Sequence, residues 1–179
     1  ALARAETARP EARAFGMFGA GLLTWASGDF AHAKQLGEQA QAYARAHGLV
    51  FHEALAHYLR FLVTLEAREA ASTLEHGETA AALMWQAGNR SWLAYILSDV
   101  GEHHVSYGDA ARGEALLAEG LQLHRELGNK QGLGNKLSDT ALMKHTAGDV
   151  AGAARTYAES IRLLREGGDT WYLATPVGG

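Results

Sequence analysis

No stretch of the chain alternates apolar and polar residues with period two for long, so nothing reads as a strand. What recurs instead is a column pattern repeating every 40 residues. One column holds Leu23, Val63, His103 and Met143, and another holds Tyr43, Leu83, Leu123 and Leu163. Two further columns are small: Ala31, Ala71, Ala111 and Ala151, then Ala40, Ala80, Gly120 and Ser160. Small positions let backbones approach, and large ones fill the gaps between. One such unit cannot bury its apolar face alone, so the units are expected to stack.

Glycines mark the turns. Gly48, Gly88, Gly128 and Gly168 form one complete column, followed three times by Asn89, Asn129 or Asp169. Gly28-Asp29, Gly108-Asp109 and Gly148-Asp149 form a second, whose missing member is Arg68-Glu69. A glycine suits the left-handed residue that ends a helix, and Asp or Asn suits the cap of the next. The spacing therefore predicts two helices of about 15–17 residues in each unit, about 25 Å long. Four units follow, at about 11–50, 51–90, 91–130 and 131–170. Pro10 sits where a first helical turn tolerates it.

Within this frame Gly21, Gly101 and Ala141 precede the Gly-Asp turn, and Ala33, Gly113 and Ala153 follow it. Leu117 and Tyr157 then supply a large residue, and Ala40, Gly120 and Ser160 a small one. This pattern resembles the tetratricopeptide repeat, lengthened from its usual 34 residues to 40. Met17, His57, Leu97 and Leu137 stand where that repeat has an aromatic, its terminal proline is missing, and the second unit matches least. HEAT-like repeats are the structural competitor. Segments such as Leu123-His124-Arg125-Glu126-Leu127-Gly128-Asn129 are similar to the repeat arms of bacterial signalling ATPases and transcription regulators of the LuxR/MalT kind. The resemblance implies an all-α, right-handed α-solenoid, a single repeat domain over residues 1–179, with 171–179 opening a ninth helix or cap. It further implies a piece of a longer regulator, in keeping with the missing initiator Met.

Composition narrows the picture. Alanine (35) and leucine (24) make up a third of the chain, which favours helix nearly everywhere. Zero cysteines exclude disulfides, thiolate metal sites and a cysteine nucleophile. A net charge of −4 argues against a nucleic-acid-binding face. No apolar run is long enough for a membrane span, and no export signal opens the chain; together with the missing cysteine this points to the cytoplasm.

Candidate chemistry is sparse. His52 and His57 nearly spell a zinc-protease motif, but a spacing of five places them on different helix faces. Gly132-Leu133-Gly134-Asn135-Lys136 lacks the P-loop spacing, and the run Gly16 to Gly21 reads as small residues for close packing. Glu102-His103-His104 is the densest polar cluster, read first as buried histidine and only secondarily as a ligand, pH-sensing or acid–base group. The expectation is thus no catalytic set, no metal and no cofactor. In tetratricopeptide arrays the first helices line a groove, so the resemblance implies binding of a protein, peptide or small effector there. By position the lining is Phe18, Leu22, Trp25, Tyr58, Leu62, Tyr95, Ser98, Glu102, Asn135, Ser138 and His145. A sensor arm is the leading reading and a free-standing protein scaffold the alternative. An open end of the stack could also pair two copies.

Overall fold

The computed structural model describes residues 9–168, and helices take up most of them. In chain order they are α1 (Pro10–Ala26), α2 (Phe30–Ala46), α3 (Val50–Glu66), α4 (Ala70–Gln86), α5 (Arg90–Tyr107), α6 (Ala110–Glu126), α7 (Lys130–Thr146) and α8 (Val150–Glu166). No strand occurs among the described residues. Within each of two compact units, helices that follow one another in the chain pack together as in a helical repeat. Asp169, Trp171, Tyr172 and the expected ninth helix lie outside the described residues.

The turn chemistry explains the boundaries. Asp29, Asn89, Asp109, Asn129 and Asp149 each accept a hydrogen bond from the backbone N–H three residues on, at 2.8–3.1 Å. These satisfy donors that a helix start leaves orphaned. Six glycines at helix ends, among them Gly28 and Gly148, take φ between 64° and 88°. In the second repeat Arg68 takes over this role at φ 57°, a conformation unfavourable for a residue with Cβ, and Glu69 behind it makes no side-chain cap. The third repeat departs from the expected turn. Gly108 is not left-handed; its N–H still donates to the His104 carbonyl (2.9 Å), and α5 runs one residue longer than its counterparts.

Arg68→Gly should therefore stabilise the protein by about 0.5–1 kcal/mol, the relief of left-handed strain less the extra freedom glycine has when unfolded. Thermal melting followed by circular dichroism checks this; an unchanged or lower midpoint would mean that Arg68 is not strained in that turn.

The helices form two compact units, one ending at Ile96 and the other beginning at Leu97, inside α5. In the first, α1 packs on α2 and on α3, α2 on α3, and α3 on α4. Enclosed by three neighbours, α3 buries ten residues, including Leu55, Leu59 and Phe61. Leu59 presses on Gly21 of α1, where an added Cβ would collide with its Cδ2. In the second unit α6 packs on α7 and α7 on α8, around Leu117, Leu121, Leu133, Leu137 and Leu163. Here the closest approach is between Gly101 of α5 and Gly113 of α6. A Cβ on Gly113 would stand 2.6 Å from the Gly101 carbonyl oxygen.

Several sequence expectations change. Ala40, Ala80, Gly120 and Ser160 are buried as a packing column should be, but Ala31, Ala71, Ala111 and Ala151 are all exposed. That column marks helix-favouring surface, not close approach. Leu23, placed in an apolar column with Val63, is 75% exposed on α1. Of the glycine run in α1 only Gly21 is packed; nothing comes within 4 Å of a Cβ at Gly16 or Gly19.

Candidate functional site

The positions expected to line a groove meet different fates. In the first unit Phe18, Tyr58 and Leu62 are buried. Phe18 sits edge-on to Trp92 at 5.7 Å, and Tyr58 meets both Trp92 and Phe61 at 6.1 Å. Rings from α1, α3 and the start of α5 thus fill one another's space. Leu22, Trp25 and Tyr95 remain half-exposed. Trp25 is the largest side chain presented by α1, and its indole N–H is buried without a hydrogen-bond partner. Trp92 is the hub that sequence reasoning missed. Its column (Ala12, His52, Gly132) holds no other large ring to draw attention to it.

The second unit is polar at the corresponding places. Ser98 is fully buried, Glu102, Asn135 and Ser138 are half-buried, and His145 is exposed. Between α5 and α7 lies a charge network. Lys136 Nζ donates to Asp99 Oδ1 (2.5 Å) and to Asp139 Oδ2 (3.0 Å). Burial opposes its charge, but Asp99, Glu102 and Asp139 outweigh that and hold the ammonium above its usual range. One carboxylate oxygen of Glu102 and the Asn135 carbonyl oxygen are buried without a hydrogen bond. This network was also missed. Its signal was available, since Asp99 and Asp139 replace Gly19 and Leu59 in their column, and Lys136 replaces Gly16, Ala56 and Ile96.

Burial raises the Glu102 carboxyl from 4.5 to about 8; Lys136 opposes this, while Asp139 and Asp99 reinforce it. His57 and His124 move the other way, from 6.5 to about 4. Burial is the largest cause for both, aided by His76 and Arg60 at His57 and by Lys136 at His124. His103 is likewise lowered by burial and by His104. It is buried, with its ring tilted against that of Tyr107 at 5.1 Å.

The signs of these shifts set a pH profile. Between pH 4.5 and 8 the folded chain keeps a proton on Glu102 that the unfolded chain has lost, so stability falls as pH rises across that window. Between pH 6.5 and 4 the unfolded chain takes up protons that folded His57 and His124 refuse, so stability falls as pH drops. Below pH 6.5 the two histidines outweigh the single carboxyl. His52, His76 and His103, lowered by burial as well, act in the same direction, which places the stability maximum between pH 6.5 and 8. Glu102→Gln should flatten the alkaline arm, whose slope is at most about 1.4 kcal/mol per pH unit. Urea unfolding between pH 6 and 9 measures that slope, and an equal slope in the variant would overturn the assignment.

The zinc-motif resemblance of His52 and His57 leads nowhere: His57 Nε2 meets the Gln41 amide at 2.9 Å. Among the described residues no three His, Asp or Glu side chains gather as a metal site would require. Gly132 and Gly134 lie inside α7, pressed against His124 and Leu164. No helix among the described residues is long and apolar enough to cross a membrane. No protein-family model matches the chain, and no curated protein matches it.

Proposed function

We propose that the chain is an interaction module of the tetratricopeptide kind that binds a peptide, protein or small effector along its first helices. On the strength of the sequence resemblance alone, its setting is the arm of a bacterial transcription regulator or signalling ATPase. The free-standing scaffold is the second reading.

One observation carries the binding role. After Phe18, Tyr58 and Leu62 have packed into the aromatic cluster, Leu22, Trp25 and Tyr95 are left half-exposed. Rigid aromatic side chains at a partly open surface are the usual anchors of recognition. Peptides selected from a random display library against the whole protein test the idea. Binding to Trp25→Ala/Tyr95→Ala should fall at least tenfold while the melting curve stays cooperative. Selected peptides that bind the double variant equally well would remove this surface from consideration.

A further inference from the structure

A second site lies away from that surface, within the first unit. Between α2 and α4, with α3 as its floor, is a cleft of about 190 Å³. Val63, Thr64 and His76 are its buried base, Arg60 and Ser72 stand half-buried at its sides, and Lys34, Glu38 and Glu69 form an exposed rim. Two features distinguish it from an ordinary charged surface. The four charged side chains surround the cleft, yet none of them makes an ion pair with another residue. His76 is only 7% exposed, and its Nδ1 is buried with no hydrogen-bond partner. Buried polar atoms are normally satisfied, so a side chain of the cleft that carries an unsatisfied one sets this place apart.

The side chains behind the cleft are arranged to hold Arg60 in place. Its Nη1 donates to Gln41 Oε1, and the Gln41 amide nitrogen in turn donates to His57 Nε2. That bond fixes His57 as the neutral Nδ1–H form, with its ring 5.4 Å from that of His76. Gly37 on α2 leaves room for the arginine stem, since a Cβ there would lie 3.0 Å from Arg60 Cγ. Arg60 therefore presents the rest of its guanidinium from a fixed base.

We propose that this cleft binds a small zwitterion of the amino-acid type, its carboxylate taken by Arg60 and Lys34 beside His76 and Ser72, and its ammonium by Glu38 and Glu69. The charges select this class. Donors line the interior, which suits an oxyanion. Two rim carboxylates offset the two cations, which disfavours a multiply charged phosphate ester and favours a ligand that is neutral overall. The volume is below the roughly 300 Å³ at which pockets for larger organic ligands begin.

Nuclear magnetic resonance titration of the whole protein tests it, reading the His76 and His57 ring protons. The probes are the individual common amino acids, acetate, methylammonium and inorganic phosphate. At least one amino acid should shift the His76 signals saturably at millimolar concentration, where acetate and methylammonium do not. Lys34→Gln, at the exposed rim, should weaken that binding about fivefold, and Arg60→Gln tenfold or more. Glu38→Gln/Glu69→Gln should weaken the amino acid while strengthening phosphate. Absence of any saturable shift would overturn the site. Phosphate binding tighter than every amino acid, or amino-acid shifts unchanged in Lys34→Gln, would overturn the zwitterion assignment.

Discussion

Gly113→Ala should lower the stability of the protein by about 2–3 kcal/mol, or roughly 4–12 °C in melting midpoint. In an isolated helix the same change would help by about 1 kcal/mol. Packing reverses the sign here. The new methyl would sit 2.6 Å from the Gly101 carbonyl oxygen and from the Val105 backbone nitrogen. Backbone atoms have no rotamer into which to retreat, so α5 and α6 must move apart. Gly16→Ala and Gly19→Ala make the control, because open space surrounds both positions and each should gain up to about 1 kcal/mol. Three glycine-to-alanine changes in helices, with effects of opposite sign, separate packing from propensity. A Gly113→Ala protein that melts with the parent would show that close backbone approach is not what holds α5 to α6.

Asp99→Ala should be the most damaging polar change, about 2–4 kcal/mol. Lys136 and Asp99 are both largely buried, and the ammonium would be left with only part of its compensation, from Asp139 at 3.0 Å, since Glu102 is protonated below about pH 8. Adding Lys136→Met should restore much of the loss, because removing both charges avoids an unpaired one in the interior. Chemical denaturation of the parent, the two single variants and the double variant yields the coupling directly. Additive effects would show that the two side chains are independent, contrary to their geometry.

The repeat was legible in the sequence because turn residues act locally. An Asp that accepts from the N–H three residues on needs no knowledge of the rest of the chain, and the caps at Asp29, Asn89, Asp109, Asn129 and Asp149 are as the spacing implies. Columns were read less well, because a small residue looks the same whether it is packed or exposed. Ala33 is buried and Ala31 is exposed, two positions apart on one helix. The contacts of α1 differ too: Leu23 has lost the neighbours that enclose Val63. Polar sites were least legible. Lys136 and Asp99 are 37 residues apart, and Arg60, Gln41 and His57 come from two helices, so no motif spans either set. Both sets depend on which helices are neighbours, information carried by the stacking and not by local spacing.

The near-identity of the helix boundaries has a consequence for how such a chain can change over generations. First helices begin at Pro10, Val50, Arg90 and Lys130, always forty residues apart, and second helices at Phe30, Ala70, Ala110 and Val150 keep the same interval. A gene segment encoding one interval can be duplicated or deleted with its ends falling in turns, and every remaining helix keeps its phase. A single codon gained inside a helix instead rotates everything beyond it by about 100° and turns buried faces outward. Length in this lineage should accordingly vary in whole repeats, with smaller changes confined to the turns.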